Sequence, residues 1–194
     1  MLISTTACAE SVSSPDGSVT ASVDIKDGQL RYSVRQNGES VISDSYIGID
    51  FEGSSFTNGV SVTSRRDASI DEVYSMPSGK AEQYINRANE MVLSVTNGED
   101  ELELYVRAYD DGAAYRYGYG ADTRAVKETA DIAFSSAALA AYCAPYEKCY
   151  ESLYTVSELG RLNGNYSMPL TVQTSDDTYA MLFEADLNGS YCGS

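Results

Sequence analysis

Apolar side chains occupy every second position in a series of short segments along the chain. This period of two places them on one face of a β-strand. The segments lie at 19–25, 30–34, 47–51, 60–62, 91–95 and 102–106. Later strands are predicted at 126–134, 169–174 and 179–183, and two weaker helical segments at 135–142 and 157–161. The hydrophobic pattern therefore predicts a chain that is mainly β.

Dipeptides of Asp or Asn followed by Gly separate the alternating segments. Such pairs favour left-handed turn geometry, because glycine adopts positive φ without a Cβ clash. They are Asp16-Gly17, Asp27-Gly28, Asn37-Gly38, Asn58-Gly59, Asn97-Gly98, Asp111-Gly112, Asn163-Gly164 and Asn188-Gly189. Many short strands joined by turns at this spacing are typical of an antiparallel β-sandwich. We therefore expect an all-β fold of this kind.

Composition excludes several classes of function. The 194 residues carry a formal net charge of -16, which argues against binding nucleic acid, whose phosphates require a basic surface. Histidine is absent, so no Ser-His-Asp or Cys-His catalysis can operate within the chain. No apolar run approaches 18 residues, so we expect no transmembrane helix.

The N-terminus and the cysteines bear on the cellular compartment. Residues 1–12 are interpreted as the remnant of a secretory signal or as a disordered tail, since Ala7-Cys8-Ala9 fits a small-x-small cleavage pattern. Cys8 alternatively suits acylation in a loose lipoprotein box. The secretory signal and the lipoprotein box both predict a periplasmic or secreted bacterial protein, whereas the disordered tail is the alternative for a cytosolic one. Cys143 and Cys149 flank a segment with a proline and form either a disulfide, worth roughly 2 kcal/mol, or two free thiols.

A predicted hairpin carries the most specific motif, with the sequence R-A-Y-D-D-G-A-A-Y-R-Y over residues 107–117. Read physically, it is a charged turn between two strands, with Arg107 and Arg116 on its two sides. The motif also resembles the signature hairpin of the N-terminal domain of glycoside hydrolase family 97. Further stretches resemble that domain in the same order: 14–17, 30–34, 48–51, 89–91, 144–146, 153–154, 168–172 and 183–187. The resemblance identifies residues 13–194 as one such domain.

This resemblance implies a large β-sandwich, the super-sandwich of galactose-mutarotase-like proteins, that precedes a catalytic (β/α)8 barrel in the same polypeptide. The barrel of the family hydrolyses α-glycosides and supplies the catalytic carboxylates. No catalytic residue is expected in this chain, which alone should be inactive. Adjacent acids such as Asp110/Asp111 and Asp176/Asp177 are poor candidates, because the two carboxylates of a glycosidase face each other across the substrate cleft, about 5 to 9 Å apart.

Glu184 is the residue to which the resemblance gives a role. In the family, the glutamate of the E-A-D-L stretch binds the catalytic calcium together with carboxylates of the barrel. Calcium takes 6–8 oxygens, so no calcium is expected on this chain by itself. The implied partners are the barrel, which the apolar segment 142–154 is expected to contact, and an α-linked oligosaccharide substrate. A free-standing carbohydrate-binding or surface-interaction sandwich is the alternative function.

Overall fold

The computed structural model describes residues 9–120, 122–136, 139–148 and 152–185. Within these ranges the chain forms antiparallel strands, one turn of 3-10 helix at Leu159–Arg161 and no α-helix. The strands are β1 (Glu10–Ser13), β2 (Val19–Lys26), β3 (Gln29–Gln36), β4 (Glu39–Phe51), β5 (Ser54–Ser55), β6 (Ser61–Ser75), β7 (Gln83–Thr96), β8 (Glu101–Tyr109), β9 (Gly112–Gly118), β10 (Ala125–Ala130), β11 (Ala140–Pro145), β12 (Thr155–Glu158), β13 (Tyr166–Gln173) and β14 (Tyr179–Leu182). The predicted all-β fold is confirmed.

The chain divides into two compact units, residues 1–133 and 134–194. In the first unit, sheet 1 has the strand order β1-β2-β3-β4-β10, with β5 beside β4. The alternation predicted for β2 is present, because Val19, Ala21 and Val23 are buried while Thr20 and Ser22 are half-buried. Asp27 and Asn37 adopt positive φ, as the tight hairpin turns that join β2 to β3 and β3 to β4 require.

Sheet 2 of the first unit has the order β6-β7-β8-β9. The turn at 97–100 fixes the register of β7 against β8, so that Met91 lies opposite Val106 and Leu93 opposite Leu104. All four side chains are fully buried. Sheets 1 and 2 pack face to face, with β1 and β2 against β7, β8 and β9. The two sheets therefore form the predicted sandwich.

The second unit contains sheet 3, with the order β12-β11-β13-β14. Ala141, Val172 and Ala180 lie side by side across the sheet, and the first two are fully buried. The opposite face carries the row Val156, Tyr142, Thr171 and Met181. Sheet 3 thus has one buried face and one face with exposed apolar side chains.

The structure corrects several details of the predicted elements. β1 begins at Glu10, three residues before the expected domain boundary at residue 13, because the backbone of this largely polar strand pairs with β2. Residues 140–142 are strand rather than helix, since β11 pairs on both sides with β12 and β13. Gly112 lacks the positive φ that was predicted, because it is the first paired residue of β9 rather than a turn residue.

The structure also adds a long β6–β7 hairpin. The sequence predicted strands only at 60–62 and 91–95, whereas β6 extends to Ser75 and β7 begins at Gln83. The added residues are mostly polar and exposed, and their sequence lacks a regular alternation of apolar and polar side chains. They are strands because they pair with each other along the whole hairpin.

Candidate functional site

The motif hairpin is tied to the neighbouring strand by a partly buried ion pair. Arg107 on β8 lies directly opposite Glu90 on β7, and its Nε donates a hydrogen bond of 2.6 Å to the Glu90 carboxylate. The Glu90 side chain is 11% exposed and the Arg107 side chain 31%. Burial by itself lowers the pKa of the Arg107 guanidinium. Hydrogen bonds with Glu90 and Tyr109 together have the larger, opposite effect, so the pKa is raised. Arg107 therefore remains fully charged and neutralises Glu90.

The second arginine of the motif stacks on a tyrosine ring. The Arg116 guanidinium lies 4.5 Å from the centre of the Tyr105 ring, and Arg66 lies 5.5 Å from the same ring. The Tyr105 hydroxyl donates to Glu103 at 2.6 Å, and Arg66 also bonds Glu103. Hydrogen bonds from Arg66 and Tyr105 lower the pKa of Glu103. This patch on the outer face of sheet 2 is a set of mutually paired charges.

Asp110 connects the hairpin turn to the loop at 14–18. Asp110 Oδ1 accepts a hydrogen bond of 2.9 Å from the backbone N–H of Asp16, and the Asp110 carbonyl accepts one from the Ser18 hydroxyl. The hydroxyl and backbone N–H of Ser18, together with Ser14, hold the pKa of Asp16 at about 2. Asp110 and Asp111 are exposed on the turn. The turn therefore has a structural role.

A shallow polar groove of about 550 Å³ lies beside β1, between Ser11–Ser14 and the β6–β7 hairpin. Arg65 in this groove pairs with Glu10 at 2.7 Å and with Asp67 at 2.8 Å. Asn89 donates to the carbonyl of Ser13 at 2.8 Å. These contacts satisfy the polar groups of the groove within the protein, so it is a structural junction.

Glu184 lies just beyond the end of β14, the edge strand of sheet 3. Ala180, Leu182 and Glu184 are half-buried, whereas Tyr179, Met181 and Phe183 are 54–62% exposed. The predicted alternation along this strand is therefore present, and Glu184 lies on the half-buried side. No group of three or more potential metal ligands lies among the described residues. Glu184 can thus supply oxygens to a metal only as one member of a larger ligand set, and its calcium role stays a prediction.

The exposed face of sheet 3 is apolar. It carries Val156 on β12 and Met181 on β14, 62% and 55% exposed, in one cross-strand row with Tyr142 and Thr171. Tyr142 also packs against Tyr179, with 6.1 Å between the ring centres. An apolar sheet face left in water is typical of an interaction surface. We call this the sheet 3 face.

The segment expected to contact the barrel is only partly described. Tyr146, Leu153 and Tyr154 are 47%, 86% and 55% exposed, which agrees with an interaction surface but does not identify its partner. The Tyr154 hydroxyl donates to the carbonyl of Pro169 at 3.0 Å. Cys143 is fully buried on β11. Cys149 and Cys8 lie outside the described residues, so the disulfide between Cys143 and Cys149 and the acylation of Cys8 remain predictions.

Glu90 is the residue whose importance the sequence did not reveal. It belonged to a stretch matched by resemblance, without a role of its own. A signal was nevertheless present: once the turn at 97–100 sets the hairpin register, Glu90 falls opposite Arg107. A carboxylate that precedes the apolar residues 91–93 also requires a cation nearby.

Comparisons with known proteins give one matching family model and several similar proteins. The model of the family "Glycosyl-hydrolase 97 N-terminal" matches residues 12–194. A probable retaining alpha-galactosidase of Streptomyces bingchenggensis (strain BCW-1) is 28% identical over 171 residues, which cover 87% of this chain. The crystal structure of a beta-arabinopyranosidase matches 95% of the chain with a TM-score of 0.86 and 21% identity. A family 97 enzyme from Pseudoalteromonas sp. strain K8, in complex with acarbose, matches 88% with a TM-score of 0.77 and 21% identity.

The chain spans no more than about a third of these relatives. The matched region is 27% of the probable alpha-galactosidase, 32% of the arabinopyranosidase and 27% of the Pseudoalteromonas enzyme. The likeness to the two solved structures concerns the fold. Among the described residues, no helix is long and apolar enough to cross a membrane.

Proposed function

The chain belongs to the N-terminal domain family of glycoside hydrolase family 97, and from this membership we propose that it is the non-catalytic domain of a secreted or periplasmic, calcium-dependent α-glycosidase. The observation that supports this most is the family match over residues 12–194. The family implies a catalytic domain in the same polypeptide. Asp110 of the motif hairpin and Glu90 beside it are engaged in structural contacts, which supports a catalytic centre located in that other domain.

We place the contact between the two domains on the second unit. The sheet 3 face and the exposed residues Leu153 and Tyr154 offer apolar surface that a partner can remove from water. Glu184 lies at the end of an edge strand, where no further strand of the described chain covers it. A domain that packs on this unit would bring its own carboxylates near Glu184.

In this arrangement Glu184 is one ligand of a calcium ion shared between the domains. A carboxylate is a suitable ligand, because calcium takes oxygen donors. Calcium takes 6–8 oxygens in all, and the described chain does not gather the remaining ones in one place. Calcium would supply a fixed positive charge at the boundary with the catalytic domain. The role of this chain is to hold one ligand at a fixed position and to bury its own apolar face.

The proposed substrate class is an α-linked oligosaccharide, cleaved as an α-glucoside or an α-galactoside. The similarity to a relative named as a probable retaining alpha-galactosidase supports this class. The acidic chain, with its net charge of -16, suits a neutral sugar better than an anionic polymer.

The test is a calcium titration of activity in the polypeptide that joins this chain to its catalytic domain. Glu184→Gln should raise the calcium concentration for half-maximal activity by at least about tenfold, the effect that even outer-shell changes produce at metal sites. Asp177→Asn is the matched control. It removes one negative charge next to the other end of β14, where Asp177 is exposed, and should leave the titration unchanged. An unchanged titration for Glu184→Gln would contradict the assignment.

A further inference from the structure

The β6–β7 hairpin projects beyond sheet 2 as a two-stranded arm. β8 pairs with β7 only from Asn89 onwards, so residues 70–75 and 83–88 pair with each other and with no third strand of the described chain. Six strand residues at about 3.3 Å each carry the end of the arm about 20 Å past the last three-stranded position. An isolated two-stranded hairpin is marginally stable in water. The arm therefore has less internal support than any three-stranded part of sheet 2.

The end of the arm is apolar on both faces. Val73 and Ile85 lie opposite each other on one face, 63% and 74% exposed. Tyr74 and Tyr84 lie opposite each other on the other face, with their rings stacked at 5.7 Å, and Met76 follows at 46% exposure. We call these five side chains the arm tip. Polar pairs separate the tip from the sandwich: Asp71 with Arg87, and Glu72 with Asn86.

The arm tip is held in a defined shape. The backbone N–H of Met76 bonds the carbonyl of Glu82 at 3.2 Å, which closes the turn. The Tyr84 hydroxyl accepts a hydrogen bond of 3.2 Å from the backbone N–H of Ala81. A surface that is ordered before binding loses less conformational entropy when a partner covers it. The arm tip is thus suited to docking against a partner and is more than the incidental end of a long hairpin.

Charge distinguishes the arm from the rest of the chain. Residues 64–90 contain four basic and five acidic side chains and are nearly neutral. The whole chain has a net charge of -16, so almost all of the excess negative charge lies elsewhere. Like charges resist the approach of another acidic surface. The arm is therefore the region where a partner meets little net charge.

Two partners are candidates for covering the arm tip: a second copy of this chain, and another domain of the same polypeptide. A second copy of this chain would have to overcome the repulsion of two acidic bodies through an interface of about 800 Å² per partner, which five side chains fill only in part. A domain on the same polypeptide needs a smaller contact, because the covalent link supplies a millimolar effective concentration. Relatives extend well beyond the matched region, which is 27–32% of their length. The tethered domain is therefore the favoured occupant.

We propose that the arm tip inserts into an apolar cleft of the catalytic domain of the same polypeptide, as a contact separate from the sheet 3 face. A cleft is required rather than a flat surface, because apolar side chains point from both faces of the ribbon. This inference rests on the proposed function only in assuming a catalytic domain on the same chain, and it involves neither Glu184 nor calcium.

Hydrogen–deuterium exchange of residues 70–88 tests the proposal. Exchange should be at least about tenfold slower in the polypeptide that includes the catalytic domain than in this chain alone. In the longer polypeptide, Val73→Thr with Ile85→Thr should restore most of the fast exchange, since threonine keeps the β-branched shape and adds a hydroxyl that is costly to bury. Val126→Thr, at a 56% exposed valine on β10, is the matched control and should change nothing in the arm.

Other results would overturn the proposal. Equal exchange in both proteins would show that the arm remains in solvent. Protection in this chain alone that grows with protein concentration would identify a second copy as the occupant. The calcium titration of Glu184→Gln separates the two proposals, because failure of the calcium role leaves the protection of the arm unaffected.

Discussion

Replacing Arg107 by methionine should destabilise the first unit by about 3 kcal/mol. The substitution removes the cation but keeps much of the aliphatic side chain, so the Glu90 carboxylate remains in a site where its side chain is 11% exposed. Loss of one partner from a fully buried pair costs about 3–5 kcal/mol. The lower end of that range applies here, because the Arg107 side is 31% exposed and admits some water.

The reverse substitution should cost less. Glu90→Gln keeps the shape of the side chain and leaves Arg107 facing a neutral amide. The guanidinium is the more exposed partner, so water can hydrate part of the charge that remains. The loss is then close to that of one charge-assisted hydrogen bond, about 2 kcal/mol. This asymmetry follows from the unequal burial of the two side chains.

The double variant isolates the ion pair from the packing. Glu90→Gln combined with Arg107→Met should be less destabilised than the sum of the single variants, because no charge is left buried. Arg124→Met is the matched control. Arg124 pairs with Glu52 at 3.1 Å, but the two side chains are 78% and 60% exposed, so its loss should cost about 0–1 kcal/mol.

Urea unfolding at pH 7, followed by far-UV circular dichroism, measures all four variants. Tryptophan fluorescence cannot be used, because the chain contains no tryptophan. If Arg107→Met proved no more destabilising than Arg124→Met, or if the two single effects simply added, the pair would not be acting as a desolvated ion pair.

Two further predictions concern the loop around Asp16 and the sheet 3 face. Hydrogen bonds hold the pKa of Asp16 at about 2, below its ordinary 3.8, so the stabilising effect of the Asp16 carboxylate is complete above about pH 4 and declines as the pH falls towards 2. Between pH 4 and pH 2, the urea concentration at the unfolding midpoint should therefore fall more steeply for the native chain than for Asp16→Asn. Parallel curves for the two proteins would refute this prediction. The sheet 3 face should promote weak self-association of this chain alone, and the association should increase with salt, which screens the repulsion between acidic chains. In sedimentation velocity, the association should be weaker for the double variant Met181→Ser/Phe183→Ser and unchanged for Val126→Ser, the control. A strict monomer at high concentration would contradict this prediction.

Much of the sandwich could be predicted because short-range signals and burial agree there. The pair Asn97-Gly98 sets a turn, the turn sets one register, and that register brings Leu93 opposite Leu104 in the core. A slip by one residue would turn every apolar side chain of β8 towards solvent. The prediction of strands at 91–95 and 102–106 was therefore well determined by the residues themselves.

The sequence did not predict the arm, because the side chains of the arm show no regular alternation of apolar and polar positions. Strand prediction from alternation depends on one buried face, and most of residues 71–87 are exposed on both faces. Gly112 shows a related limit. The dipeptide Asp111-Gly112 fits a left-handed turn, but the tertiary pairing of Tyr109 with Gly112 moved the turn to Asp110 and Asp111. Local turn chemistry gave way there to strand pairing.

The same reasoning explains why sequence could locate β14 but not tell which of its faces is covered. The alternation of Tyr179, Met181 and Phe183 with Ala180 and Leu182 is compatible with either face packing on a core, because both sets are apolar. In the structure the larger side chains are the more exposed set. Exposing the larger apolar set is unfavourable unless a partner covers it, at about 25 cal/mol for each Å² of apolar surface. The burial pattern of β14 is thus the one expected of a strand whose exposed side packs against a second surface. Glu184 lies just beyond the end of this strand.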